Sequence, residues 1–145
     1  MSIRKSTRTA ARRSPVIADL RSLPIFADCT DRELDQVASL TTPVSVGAGR
    51  VLLTEGGNRR QFLVVADGSV SVSHAEEAVA VLGAGDFVGE MSLLGRTTPN
   101  ATVTTLTPAT LWVSTSSEFA SILDAAPSAR AKVDAAAADR LAAAS

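Results

Sequence analysis

The 145-residue chain is predicted to fold as a mainly β domain, a small barrel or sandwich, with helices flanking it on both sides. Between residues 43 and 113, short stretches rich in Val, Leu and Thr alternate with Gly, Asn and Asp turn signals, a spacing typical of all-β folds. Apolar residues before and after this region recur at helical spacing. Hydrophobic residues make up 46% of the chain and aromatic residues only 3%. Aliphatic side chains must therefore form the core, and the length fits one domain.

The first fifteen residues differ in charge from the rest of the chain. They hold five of the fourteen basic residues and none of the fifteen acidic ones, so residues 16–145 carry nine basic and fifteen acidic side chains, a net charge of −6. We expect a disordered basic arm over 1–15 and a single domain over 16–145, because the arm has few large apolar residues to offset the entropy of ordering. The arm is interpreted as a solubilising tail or as a tether to nucleic acid, an acidic protein surface or anionic lipid, and its composition also fits an organelle transit peptide.

Two helical segments are predicted before the β region. The first begins at Val16 and is interrupted by Pro24. The second opens with Thr30, and Glu33 follows three residues later, the spacing of a capping box. Apolar residues then recur at helical spacing, so the pattern predicts a short amphipathic helix ending near Leu40.

Seven strands are predicted, each bounded by glycine-containing or polar turns. Alternation of Val70, Val72 and His74 with serines predicts one buried and one solvated face for that strand. Together the strands are expected to form a closed or nearly closed sheet. The predicted strands cover residues 44–46, 51–54, 61–66, 70–74, 78–82, 101–105 and 110–114.

Paired helices are predicted after the last strand, one from Ser116 to Leu123 and one after Pro127 to Ala144. The proline fits the first turn of the final helix, where its missing N–H costs nothing. From Val133 onward this helix carries a stripe of mostly small residues that permits close helix approach, so a homodimer is one option.

The segment from Gly85 to Val103 holds the strongest functional pattern. A strand ends in a glycine turn, a short helix starts at Gly89-Glu90, and the chain re-enters a strand at Ala101. A helix start offers unpaired backbone N–H groups and a partial positive charge, which together can receive a phosphate.

The order of these segments resembles the cyclic-nucleotide-binding domain family of catabolite activator proteins, regulatory subunits of cAMP-dependent kinases and cyclic-nucleotide-gated channels. The resemblance covers about residues 23–141 and implies a β-barrel of the jelly-roll type with N-terminal and C-terminal helices. It rests on an opening segment, a first helix, two spaced-glycine strand regions and a phosphate-binding cassette, which are residues 23–26, 30–40, 49–56, 62–70 and 85–94.

The resemblance also implies roles for the residues at the start of the cassette helix. Gly89 stands where the backbone must approach the ligand closely. Glu90 stands where a carboxylate accepts a hydrogen bond from the ribose 2′-hydroxyl. The backbone N–H groups of Met91, Ser92 and Leu93 stand where the cyclic phosphate is received.

The end of the cassette departs from the family pattern. Ala101 and Thr102 match its closing residues, but Pro99 occupies the position of the family's arginine, ten residues beyond the cassette glycine. A proline offers neither a charge nor a donor to the phosphate. Two substitutes stand in the same loop, the guanidinium of Arg96 and the side-chain amide of Asn100.

Other kinds of site find little support in the sequence. Cys29 and His74 are the single cysteine and histidine, so neither a disulfide framework nor a Cys/His metal site is expected within one chain. No catalytic residue or cofactor is expected, because no Ser, Cys or Thr lies in a recognisable nucleophile pattern. Apolar runs stay short of the ~20 residues needed to cross a bilayer.

The resemblance implies a small regulatory protein, not an enzyme, that binds a cyclic nucleotide, and the single cysteine favours a reducing, cytoplasmic location. Its ligand would be cAMP first and cGMP second, and its C-terminal helix would signal to a separate protein partner. A helix-turn-helix for DNA binding is not expected, because residues 128–145 are too few to form one. The alternative is a degenerate fold that has lost its ligand and acts as an interaction module docked by the basic arm.

Overall fold

The computed structural model describes residues 16–144, without the side chains of the last two. The predicted basic arm over 1–15 lies outside the described residues. Within them, none of the helices combines the length and the apolar character needed to cross a membrane.

The described strands pair in two antiparallel sheets of four. They are β1 Thr42–Val46, β2 Val51–Leu53, β3 Gln61–Asp67, β4 Val70–His74, β5 Glu77–Leu82, β6 Phe87–Val88, β7 Thr102–Thr105 and β8 Ala109–Thr115. The strand orders are β1-β8-β3-β6 and β2-β7-β4-β5, so the sheets form a jelly roll, as the resemblance implied.

The expectation of one closed or nearly closed sheet is wrong. The chain changes sheets between β3 and β4, at a turn built on Gly68. Gly68 has φ +91°, and a Cβ there would lie 2.4 Å from the carbonyl oxygen of Pro108. The chain also changes sheets at five other connections, and only β4 and β5 are consecutive strands of the same sheet. Two sheets therefore form in place of one closed sheet.

The two faces of β3 belong to two separate hydrophobic cores. Leu63 and Val65 point between the sheets, where they join side chains from both. Phe62 and Val64 point outward and pack under the helices. Burial of each such side chain contributes about 1.5–3 kcal/mol, so β3 joins the helices to the sandwich.

The helices cover the outer face of the first sheet. Residues 16–21 form the described part of α1, and a 3₁₀ turn follows at Pro24–Phe26. The later helices are α2 Asp31–Ala38, α3 Glu90–Gly95, α4 Ser116–Ala125 and α5 Pro127–Ala144.

Capping boxes start two of these helices. The predicted box at α2 is confirmed: the Glu33 N–H donates to the Thr30 hydroxyl at 3.1 Å, and the Thr30 N–H donates to the Glu33 carboxylate at 2.8 Å. A second box, unpredicted, joins Thr115 to Glu118 at the start of α4. Pro127 begins α5, as expected from its missing N–H.

Helix α5 is fixed to its own domain. Val133 is fully buried in the core beneath the helices. The Lys132 ammonium donates to the Pro24 carbonyl at 2.6 Å and lies 2.8 Å from the Asp28 carboxylate. The hydrogen bond and the charge of this lysine lower the pKa of Asp28. The stripe beginning at Val133 therefore packs on the chain itself at this residue, and the homodimer stays a prediction.

Candidate functional site

The cassette is held in place by a glycine that no other residue can replace without strain. Gly89 joins β6 to α3 with φ +101°. A Cβ at this position would lie 2.1 Å from the carbonyl oxygen of Gln61 in β3. The close approach fixes the start of α3 against the central strand, and it gives a structural reason for glycine beside the role that the resemblance implied.

Glu90, the first residue of α3, is completely buried and paired with an arginine from α5. The Arg140 guanidinium donates to both carboxylate oxygens of Glu90, with an Nη1 to Oε2 distance of 2.7 Å. Its Nη2 donates to the Phe87 carbonyl at 2.7 Å, and its central carbon lies 5.5 Å from the centre of the Phe87 ring. One arginine thus holds the buried carboxylate and closes α5 onto the cassette.

The pKa of Arg140 depends on how far the ion pair is buried. Burial lowers the pKa of Arg140, and the negative charge of Asp86 opposes that shift. An arginine remains charged at neutral pH even so. The Arg140 side chain is 36% exposed and that of Glu90 is 0% exposed, so one end of the ion pair reaches solvent. The guanidinium therefore lies at the boundary between the buried carboxylate and solvent.

The start of α3 leaves backbone donors available. The N–H groups of Glu90, Met91 and Ser92 precede the first intrahelical hydrogen bond, as in any α-helix. The Leu93 N–H, expected to receive phosphate, donates to the Gly89 carbonyl at 3.3 Å. The buried Ser92 hydroxyl also donates to that carbonyl, at 3.2 Å. The amides of Met91 and Ser92 are therefore better placed for an anion than that of Leu93.

The loop after α3 separates the two substitutes for the missing arginine. Arg96 ends the helix in a left-handed conformation, with φ +53°, and its side chain is exposed. It lies at the other end of α3 from Glu90. Pro99 is buried, and its carbonyl accepts a hydrogen bond from the Gly56 N–H at 2.8 Å. Asn100 is exposed beside it.

A histidine contacts the end of this loop. The Nδ1 atom of His74 lies 3.0 Å from the Asn100 carbonyl oxygen and 2.9 Å from the Glu55 carboxylate. The Glu55 N–H donates to the Thr102 hydroxyl at 3.0 Å. Strand β4 pairs with β7 so that Ser73 faces Thr102, which places His74 beside Ala101. The loop end and the β4–β5 turn are thus joined by one polar cluster.

Sequence reasoning gave neither Arg140 nor His74 a ligand-related role. For His74, the one signal was its alternation with Val70 and Val72, which pack towards the space between the sheets. For Arg140, the signal was its position seven residues after the buried Val133, two helical turns along one face of α5.

A cavity of about 330 Å³ lies between the cassette turn and α5, with Phe87, Lys132 and Arg140 among its lining residues. Within residues 16–144, three or more His, Cys, Asp or Glu side chains nowhere gather in a group able to hold a metal ion.

Comparisons with known proteins agree with this geometry. The profile of the cyclic nucleotide-binding domain family matches residues 43–126. The acetyltransferase Pat of Mycolicibacterium smegmatis is 32% identical over 110 residues, which are 73% of this chain and 33% of that protein. A cAMP-dependent protein kinase regulatory subunit of Yarrowia lipolytica is 35% identical over 101 residues, 68% of this chain and 27% of that protein.

Solved structures show the same fold at lower identity. The regulatory domain of Toxoplasma gondii PKA, crystallised with cAMP, superposes with a TM-score of 0.78 at 20% identity, covering 90% of this chain and 51% of that one. The catabolite activator protein of Thermus thermophilus superposes with a TM-score of 0.72 at 24% identity, covering 83% of this chain and 59% of that one. The chain spans a third or less of the length of the two curated relatives described above.

Proposed function

The chain belongs to the cyclic nucleotide-binding domain family, and we propose that it binds a cyclic nucleotide, with cAMP as the first candidate and cGMP as the second. Family membership supports the ligand class. The choice of cAMP is favoured by the relatives whose names include it, such as the kinase regulatory subunit of Yarrowia lipolytica.

The observation that carries the proposal is the buried carboxylate of Glu90 at the start of α3. A buried carboxylate is costly unless partners satisfy it, and this one is held by Arg140. The resemblance gives Glu90 the ribose hydroxyl as ligand. A carboxylate has about four lone-pair sites, so it can accept from the guanidinium and from a hydroxyl together. In the proposed complex, ribose and Arg140 share Glu90.

Helix α5 acts in this proposal as a lid. Its first half is fixed by the buried Val133 and by the contacts of Lys132 with Pro24 and Asp28. Its far end is held on the cassette by Arg140. A ligand that binds the closed state better than the open one shifts the population towards closure. The surface that changes is then available to a separate protein partner.

The phosphate would be received by the amides of Met91 and Ser92, with His74 in place of the family's arginine. His74 contacts the loop end at Asn100, whereas Arg96 lies at the opposite end of α3. A missing charge-assisted hydrogen bond costs about 1.5–3 kcal/mol, so the affinity would be about ten- to a hundredfold lower than with an arginine at that position.

Calorimetric titration of the full chain with cAMP and with cGMP tests the proposal. Binding is expected to be saturable and to be lost in Glu90→Gln, and the melting temperature is expected to rise with ligand. His74→Gln should weaken binding, while Arg96→Ala, the matched loop control, should leave it unchanged. Absence of both a binding heat and a melting shift at millimolar ligand would refute the proposal.

As a regulatory domain, the chain is proposed to be cytoplasmic and to have no catalytic activity of its own. The fold supports this role. Some relatives carry enzymatic names, including the acetyltransferase Pat, but this chain matches only 33% of that protein. Activity of a larger protein would then lie in a segment other than residues 16–144.

A second function, a ligand-free interaction module, is favoured by Pro99 in the arginine position and by Arg140 already satisfying Glu90. In that case the basic arm over 1–15 would dock the partner. Pull-down with the full chain and with a chain lacking residues 1–15 separates the two functions, because a partner that needs the arm and ignores cAMP supports the interaction module.

A further inference from the structure

A groove outside the nucleotide site lies between α3, α4 and the start of α5. Its cavity volume is about 690 Å³. Part of its lining is apolar and includes Leu93 and Leu94 of α3, and Leu94 is 40% exposed. Its rim holds Arg60, Arg96 and Arg130. We call this feature the arginine groove.

The charge of the arginine groove is opposite to that of the surrounding domain. Residues 16–145 carry nine basic and fifteen acidic side chains, whereas the groove lining holds three arginines and one acid, Asp124. Arg130 has an ion-pair partner in Asp134 at 3.8 Å. Arg60 and Arg96 form no ion pair with any residue between 16 and 144. Two guanidinium groups are therefore left to bind an anionic partner.

The backbone at Arg96 gives independent support. Arg96 occupies the left-handed position at the end of α3, with φ +53°, where glycine or asparagine is usual because a side chain is strained there. Strained residues of this kind concentrate at functional sites. This conformation places the Arg96 side chain in the groove lining beside the exposed Leu94.

We propose that the arginine groove binds an acidic amphipathic segment of a partner protein. Carboxylates of the segment would pair with Arg60 and Arg96, because guanidinium groups bind carboxylates in a bidentate manner. Apolar side chains of the segment would cover Leu93 and Leu94. A nucleic acid fits less well, because the leucines and Phe119 in the lining offer its phosphates no partner, whereas they can pack against the apolar side chains of a peptide.

Selection from a phage-displayed library of random sixteen-residue peptides on the immobilised full chain tests the proposal. Enriched peptides are expected to carry net negative charge and at least two large apolar residues. Their dissociation constant, measured by fluorescence anisotropy, should rise at least about tenfold for the double variant Arg60→Ala/Arg96→Ala. The matched control Arg50→Ala/Arg59→Ala removes two exposed arginines outside the groove lining and should leave the constant unchanged.

A further variant tests the apolar part of the groove lining. Leu94→Glu places a negative charge beside the proposed acidic segment and should weaken the same peptides, with circular dichroism confirming that the variant is folded. The proposal is overturned if no peptide is enriched, if enriched peptides are neutral or basic, or if they bind the Arg60/Arg96 double variant as tightly as the wild type. A twelve-nucleotide RNA that binds the groove more tightly than the peptides at 150 mM salt would assign the site to nucleic acid instead and also overturn it.

Discussion

Glu90 and Arg140, fifty residues apart in sequence, form a buried ion pair that joins the first residue of α3 to the last turns of α5. The carboxylate is inaccessible to solvent while the guanidinium remains 36% exposed. Removal of the arginine leaves a buried charge without its partner, whereas opening of the helix end lets water reach it. The contact of α5 with the cassette and the burial of Glu90 are therefore coupled.

Replacement of Arg140 by alanine is expected to lower the free energy of unfolding by about 1–3 kcal/mol. A fully buried pair broken on one side costs about 3–5 kcal/mol, and the exposed end of this pair reduces that cost. Urea denaturation at pH 7 measures the difference. The control Arg130→Ala changes an exposed arginine on the same helix and should stay within about 0.5 kcal/mol of the wild type.

A double-mutant cycle with Glu90→Gln isolates the interaction itself. If the pair acts as the geometry indicates, the two substitutions together should cost at least about 1 kcal/mol less than the sum of the single changes. Strict additivity would show that Arg140 stabilises α5 by packing on Phe87 and not through Glu90.

Substitution of Gly89 by alanine is expected to destabilise the domain by about 3 kcal/mol or more. The added Cβ would lie 2.1 Å from the Gln61 carbonyl oxygen, and φ +101° is itself unfavourable for alanine. Thermal unfolding followed by circular dichroism measures the loss. Gly47→Ala is the matched control, because a Cβ there meets nothing within 4 Å; an equal loss in both variants would contradict the steric argument.

Local features of the fold could be predicted from sequence because their signals lie within a few residues. The capping box of Thr30 and Glu33 and the proline at the start of α5 were predicted correctly. The resemblance implied the jelly roll, but the periodicity of single strands could not give the strand order of its two sheets, because that order depends on pairings between strands far apart in sequence, such as β1 with β8. Strand β6, Phe87–Val88, was missed because two residues are too few to show periodicity.

In the candidate site, too, residues with a local sequence signal could be predicted, and residues that depend on distant contacts could not. Gly89 and Glu90 stood out in the sequence because a glycine turn leads into a helix start. Arg140 did not, because its partner is fifty residues away, and its position two turns after Val133 on α5 does not identify that partner. His74 was dismissed as a metal ligand, and its contact with Asn100 depends on the register of β4 against β7.

The contact between Asp28 and Lys132 should make stability depend on acid pH. The lysine lowers the pKa of Asp28, so the folded state binds this proton less readily than the unfolded state. The stabilisation is then fully present above the ordinary carboxyl pKa of about 3.9 and is lost as the pH falls through the lower folded value. The free energies of unfolding of wild type and Asp28→Asn, measured by denaturation, should therefore differ most above about pH 5. They should converge below the folded pKa of Asp28.

Lys132→Met supplies the control for the acid dependence. In the Lys132→Met background, Asp28→Asn should not change the free energy of unfolding at any pH, because the charge that lowers the pKa of Asp28 is gone. A pH-dependent difference that persists without the lysine would assign the effect to another group.

Introduction of an arginine at position 99 tests what the proline costs the proposed nucleotide site. Pro99→Arg should raise the affinity for cAMP about ten- to a hundredfold, since one charge-assisted hydrogen bond contributes about 1.5–3 kcal/mol. Arginine keeps the hydrogen bond of the residue 99 carbonyl with the Gly56 N–H, and its side chain must leave the buried position of Pro99 to reach the phosphate. Calorimetric titration measures the gain, and the melting temperature reports that the variant is folded.

Thr98→Arg is the matched control, because it adds the same charge one residue earlier at an exposed position. If only Pro99→Arg raises the affinity for cAMP, the cassette keeps its phosphate geometry and lacks only the counter-charge. If both substitutions raise the affinity equally, the gain reflects long-range attraction alone. If the folded Pro99→Arg chain binds no cAMP, the missing arginine is not what prevents binding. The pairing of Glu90 with Arg140 would then close the site to ribose, and the interaction module would be the better account of the domain.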